Sequence, residues 1–219
     1  MSDPNNIFVS VGSTANEQQE AFVCAVEARL RAEGLMPHTV GRDTFSADAP
    51  LKAVSQLMDK CSGAVVIALE RMYFPAGIDK PNGPKATELL EIRLATPWNQ
   101  IEAAMSYARN LPLLMIVERG LKAEGLLERG YDWFVQEVTL DPSSLATLQF
   151  NGVLADWKTK VQASSAPGAT AKAALTPDNI TLGQFFGSLK PAQLWSLLVA
   201  LAAVVAGAFS IGAKLGPGK

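Results

Sequence analysis

The chain is short of the residues that most often carry chemistry. Its 219 residues include one histidine, His38, and two cysteines, Cys24 and Cys61. Their spacing builds no zinc site, and no metal is expected. Two cysteines also make no disulfide framework. The opening Met-Ser-Asp-Pro-Asn-Asn lacks the basic-then-apolar pattern of a signal peptide, so the main domain is expected to be cytoplasmic and its thiols reduced. Both cysteines fall in helical apolar patterns and are expected to be buried. His38 reads as a strand residue rather than a ligand or base. Basic charge is in short supply too: 19 Lys and Arg stand against 21 Asp and Glu. With a net charge of −2 and a pI of about 5.5, no basic surface demands nucleic acid as a partner.

Apolar residues are plentiful, and mean hydropathy is +0.15. Much of that comes from the C-terminal end. From Pro191 to Ala213 there are 23 positions without a charge, and Leu194 to Phe209 is almost wholly apolar. About 20 such residues cross a bilayer core, so residues 194–213 are expected to form a single transmembrane helix. Trp195 would sit at one interface, with Lys190 and Lys214 flanking the span. Ala203 with Gly207 and Ala208 with Gly212 have the four-residue spacing that lets helices approach closely, which points to a homo-oligomer in the membrane. The Ala/Ser-rich stretch 162–181 reads as a flexible linker. Residues 182–193, with Phe185 and Phe186, read as a juxtamembrane segment.

Residues 1–161 alternate strand and helix patterns. Strands are expected at Asn6 to Val11, Met36 to Val40, Ala64 to Leu69, Pro112 to Val117 and Trp133 to Val138. Helices are expected at Asn16 to Glu33, from Pro50 to about Cys61, Pro97 to Arg109, Leu121 to Arg129 and Ser143 to Lys160. The helix from Pro50 would bury Leu51, Val54, Leu57, Met58 and Cys61. A connection from Glu70 to Ala95, broken by Pro75, Gly77, Pro81, Gly83 and Pro84, reads as a long loop, and long loops in compact domains are usually functional or disordered. Alternating units of this kind call for a five-stranded, parallel, doubly wound α/β sheet of flavodoxin-like order, 2-1-3-4-5. Such sheets bind ligands where the chain turns away in opposite directions, here at the carboxyl ends of the first and third strands.

Thr96-Pro97-Trp98-Asn99-Gln100-Ile101-Glu102 borders that crevice. Thr96 suits the N-cap and Pro97 the first helical position, while Ile101, Ala104, Met105 and Ala108 are spaced to bury one side. Glu102 is then a lone carboxylate near the helix start, which the helix dipole alone would favour. On the other wall, Ser10, Gly12 and Ser13 end the first strand. Arg42 and Asp43, in the loop after the second strand, either contact a phosphate or ribose or form a solvated pair. Tyr73 and Phe74 offer faces on which a base could stack; Trp98 reads as packing beside them.

Ile7-Phe8-Val9-Ser10 resembles the first box of Toll/interleukin-1 receptor (TIR) domains, and Thr96 to Glu102 resembles their Ser-x-Trp-x-x-x-Glu motif. The order of elements is also TIR-like from about Asn6 to Lys160, and nucleoside 2-deoxyribosyltransferase-like domains are related. The resemblance implies a membrane-anchored effector of a bacterial antiphage or stress system that cleaves the N-glycosidic bond of NAD⁺ or a related nucleotide when assembled. It makes Glu102 the catalytic residue, with NAD⁺ as substrate rather than cofactor. It also allows a non-catalytic nucleotide sensor whose span disrupts the membrane, and a tail-anchored scaffold.

Overall fold

The computed structural model describes residues 5–130 and 133–165. Among them no helix is long and apolar enough to cross a membrane. The expected linker, juxtamembrane segment and span, residues 162–213, lie beyond these residues except for the first few positions of the linker.

Among the described residues seven strands and four α-helices succeed one another: β1 (Asn6–Val11), α1 (Glu17–Ala32), β2 (Met36–His38), α2 (Pro50–Met58), β3 (Gly63–Ala68), β4 (Met72–Asp79), β5 (Thr87–Leu94), α3 (Pro97–Ala108), β6 (Leu113–Glu118), β7 (Phe134–Val138) and α4 (Leu148–Ser165). Five of the strands form a parallel sheet in the order β2-β1-β3-β6-β7, as the sequence reading expects. Side chains alternate across this sheet. Ile7, Val9, Val65, Ile67, Leu114 and Ile116 face α1 and α4, meeting Phe22, Val26, Leu154 and Trp157. Phe8, Val66, Ala68, Met115 and Val117 face the other way, toward Val54, Leu57 and Met58 of α2 and Ala103 of α3. Because β3 is covered on both faces, all six of its residues are buried.

The long connection is not a loop. Residues Met72–Asp79 and Thr87–Leu94 pair antiparallel as a two-stranded ribbon. Its prolines and glycines suggest a loop because those residues punctuate most strands, yet Pro75 is tolerated on a strand with a single neighbour. Pro75 and Glu91 lie opposite each other and drop out of the pairing together, and Glu91 takes φ +53°, so the ladder is interrupted there while the register stays the same on both sides. Four other expectations fail locally. The helix expected at Leu121 to Arg129 is only a 3-10 turn, Gly125–Leu127. The last helix begins later, after a 3-10 turn at Pro142–Ala146. Leu51 points outward at the start of α2 and is half exposed, whereas Val54, Leu57, Met58 and Cys61 are buried. Cys61 is thus buried as expected, but Cys24 is exposed, because its position on α1 faces away from the sheet and toward Glu20.

Candidate functional site

β1 and β3 lie side by side, and from their carboxyl ends the chain departs to opposite sides of the sheet. A crevice of about 390 Å³ opens there, lined by Gly12 and Ser13 after β1, Glu70 and Arg71 after β3, and Trp98, Asn99 and Glu102 from α3. Its volume is within the range of small-molecule sites, roughly 300–1,000 Å³. Val40, Pro50, Val54 and Leu69 give it an apolar side.

One polar strut and one close approach bring the walls together. Gln19, 3% exposed, accepts from the backbone N–H of Ala15 at 2.7 Å and donates to the carbonyl of Glu70 at 2.9 Å. One side chain therefore ties the loop after β1 to the loop after β3. Gly12 makes the close approach, since a Cβ there would stand 3.0 Å from Thr96 Cγ2. A larger residue would need the Thr96 side chain to give way by a few tenths of an ångström.

α3 is turned differently from its expected amphipathic face. Thr96 caps it, accepting from Trp98 N–H, but the buried residues are Asn99, Ala103 and Ser106. Ile101 is 41% exposed, and Ala104 and Ala108 are also exposed. The apolar spacing fails because the helix aims its polar side at β1 and β3. Asn99 Nδ2 donates to Ser10 Oγ at 3.1 Å and to the Ile67 carbonyl at 3.3 Å. The Ile67 carbonyl can only accept, which fixes the amide orientation. Asn99 Oδ1 is then left buried, with no donor among the described residues. An orphaned acceptor of this kind costs roughly 1–3 kcal/mol, and here it sits on a residue of the crevice.

Glu102 completes the arrangement one turn along the same helix. The Ser10 hydroxyl, whose oxygen already accepts from Asn99, donates a hydrogen bond to the Glu102 carboxylate. Burial nonetheless raises the Glu102 carboxyl from the usual carboxylate range to about 7, with the Ser10 hydrogen bond pulling the other way. Glu102 lies beyond the first turn of α3, so the helix dipole does little to offset this. Desolvation wins, and a neutral-pH titration is what acid–base or charge-stabilising catalysis uses.

The other sequence candidates are placed unevenly. Ser10 lies beneath the crevice, while Gly12, Ser13 and Trp98 line it. Trp98 is 40% exposed rather than packed away. Arg42 does not line it: its guanidinium forks onto Glu20 at 2.7 and 3.1 Å and reaches Glu27 at 3.2 Å. It does not pair with Asp43 either, which instead accepts from Thr39 N–H at 2.7 Å and faces His38. Tyr73 and Phe74 stand on β4 outside the crevice lining, and the Tyr73 ring is covered by Arg93, 5.8 Å from its centroid. Sequence reasoning missed Gln19, Glu70, Arg71 and Asn99. For Asn99 a signal existed, since an amide three residues before Glu102 shares its helix face. The others are brought in only by the fold.

No family model matches the chain, and no curated protein matches it. Among solved structures, a CMP N-glycosidase of Clostridium botulinum is 13% identical with a TM-score of 0.42, covering 68% of this chain and 98% of its own. The TIR domains of the activated Roq1 resistosome, which recognises the pathogen effector XopQ, are 10% identical with a TM-score of 0.34. They cover 90% of this chain and 99% of their own.

Proposed function

We propose that the crevice binds a nucleotide and that Glu102 promotes cleavage of its N-glycosidic bond, with NAD⁺ the first substrate to test. The observation that carries this reading is the Glu102 carboxyl itself: partly buried in a ligand-sized crevice, without a cationic partner among the described residues, and held by a hydroxyl. The TIR-like motif around it supports the same role.

The chemistry asks little more of the protein. The bond between ribose C1′ and the nicotinamide nitrogen breaks, and its electron pair leaves with nicotinamide, which becomes neutral. Positive charge grows on the ribose ring, and an ionised Glu102 offsets it. Water then adds at C1′ and gives its proton to the carboxylate, which passes it to solvent. The products are nicotinamide and ADP-ribose. Ser10 holds the carboxylate in place, and Asn99 Oδ1 is an acceptor suited to a sugar hydroxyl. In the same proposal, residues 194–213 tether the domain to a membrane and self-association raises its local concentration. The defence role follows from the motif resemblance.

The test follows NAD⁺ loss by the full chain, in detergent and reconstituted at high density in liposomes, beside Glu102→Gln. Loss from the native protein alone supports the reading. No loss in either state, or equal loss from both proteins, refutes it, and saturable NAD⁺ binding without loss makes the protein a nucleotide sensor instead.

A further inference from the structure

The crevice also contains a cation, Arg71, that meets no carboxylate among the described residues. Arg71 follows β3, and its backbone N–H donates to the Leu94 carbonyl at 2.8 Å, anchoring it at the base of the β4–β5 ribbon. Its side chain turns across the crevice mouth, where Nη1 donates to Ser13 Oγ at 3.0 Å. A guanidinium has five N–H donors. One is used on Ser13, and the others meet no acceptor among the described residues.

Arg71 differs in this from the arginines around it. Arg42 is bound by Glu20 and Glu27, Arg109 by Asp59, and Arg93 by Glu70. The last pair matters because Glu70 is the carboxylate closest in sequence and also lines the crevice. Its side chain reaches Arg93 at 3.5 Å and so leaves Arg71 alone. The groups facing Arg71 within the crevice are therefore an ion-paired Glu70, a partly buried Glu102, an indole and a hydroxyl. A free guanidinium beside a hydroxyl is a receptor for a tetrahedral oxyanion.

Resting on the reading of the crevice as a nucleotide site, we propose that Arg71, with Ser13, is the anchor for a phosphate monoester on the sugar. The crevice would then select nucleoside monophosphates over the corresponding nucleosides. A volume near the lower end of the small-molecule range fits this class, with the apolar side and Trp98 available to the base and Glu102 to the sugar. Arg71 is a binding residue in this scheme. It touches the phosphate and not the bond that breaks.

Two ligands that share one glycosidic bond and differ by one phosphate make the test. Nicotinamide mononucleotide and nicotinamide riboside are titrated calorimetrically into the full chain carrying Glu102→Gln, so that turnover cannot blur binding. The mononucleotide should bind about 10- to 100-fold more tightly, as charge-assisted bonds to phosphate allow. Adding Arg71→Gln should bring the two within about twofold, and Arg71→Lys should restore part of the preference, since a lysine keeps the charge but not the fork. Equal affinities in the parent, a preference that survives Arg71→Gln, or no binding of either ligand would overturn the assignment. Cleavage by the native protein is read separately. A phosphate preference with no cleavage keeps the anchor and removes the hydrolase reading; cleavage with no preference does the reverse.

Discussion

Glu20 and Glu102 both stand near the start of a helix at the carboxyl end of the sheet, and their carboxyls are displaced in opposite directions. Glu20 accepts a forked pair of hydrogen bonds from Arg42 and another from Thr14. These partners lower it to about 2. Glu102 has no cation beside it, only the Ser10 hydroxyl, and burial raises it to about 7. Glu20 lies in the first turn of α1, where the dipole favours its anion, and Glu102 lies beyond the first turn of α3, but a dipole effect of about 0.3–1 kcal/mol does not account for a difference of this size. Partners and solvent do. One carboxylate is a permanently charged strut, and the other is positioned to change charge near neutrality. What sets Glu102 apart from Glu20, and from the ion-paired Glu70 that also lines the crevice, is that it has no cationic partner among the described residues.

The sharpest way to break the comparison is to remove the Glu102 charge. Glu102→Gln should lower kcat/KM for NAD⁺ by about 10²–10⁴-fold, the usual contribution of a positioned acid–base group. The same change should stabilise the fold above neutral pH. A folded-state value above the unfolded one means that the native protein binds the extra proton between about pH 4.5 and pH 7, so native stability falls as pH rises through that window. The amide has no charge to desolvate. Glu102→Gln should therefore unfold later than the native chain at pH 8, by about 1–3 kcal/mol, and show no advantage at pH 4. A thermal melt at the two pH values checks this, and an advantage that does not change with pH would remove the buried-charge account.

A pH–rate profile comes next in size. If the ionised carboxylate offsets charge on the ribose, kcat/KM should climb about tenfold per unit below neutrality and level off above about pH 7. A rate that falls through pH 7 would mean that the protonated acid is the active form, and the chemistry would be leaving-group protonation instead. Ser10→Ala is the finer probe, because Ser10 is the group that draws Glu102 downward. Its loss should move the midpoint up by about one pH unit, the size expected for one hydrogen bond to a charged group. It also leaves Asn99 Nδ2 with Ile67 as its sole acceptor.

These residues show which parts of the molecule were open to inspection in the sequence. The five parallel strands and their order were legible because Ile7 to Val11 and Ala64 to Leu69 are short, apolar and separated by helical periods. Glu102 stood out through its motif. The β4–β5 ribbon was hidden because pairing of residues such as Phe74 and Ile92 tolerates Pro75 on a strand with one neighbour, which local rules read as a break. The buried face of α3 was hidden for a different reason. Periodicity assumes that apolar side chains turn inward, and at this helix Asn99 and Ser106 do so while Ile101 does not. Departures from patterning of this kind concentrate at functional sites. Partner choice was the least visible of all: Arg42 and Arg71 are both loop arginines, and only the fold puts two glutamates against one and none against the other.

The smallest effect tests the other half of the comparison. Arg42→Ala removes the strut's cation and leaves Glu20 and Glu27 of α1 without it. Glu20 is substantially exposed, so solvent screens the pair, and the loss should be only about 0.5–1 kcal/mol in urea unfolding at pH 7. The sign of its pH dependence is opposite to that of Glu102. A folded-state value below the unfolded one supplies stability above about pH 4.5 that fades as pH falls toward about 2. Native and Arg42→Ala proteins should accordingly differ at pH 7 and converge in acid, and added salt should narrow the gap. kcat/KM for NAD⁺ should stay within about twofold, because Arg42 is held away from the crevice lining and a strut loss of this size leaves the fold intact. If Arg42→Ala instead costs as much activity as Ser10→Ala, the loop after β2 belongs to the site, and the separation between a charged strut and a titrating carboxyl fails.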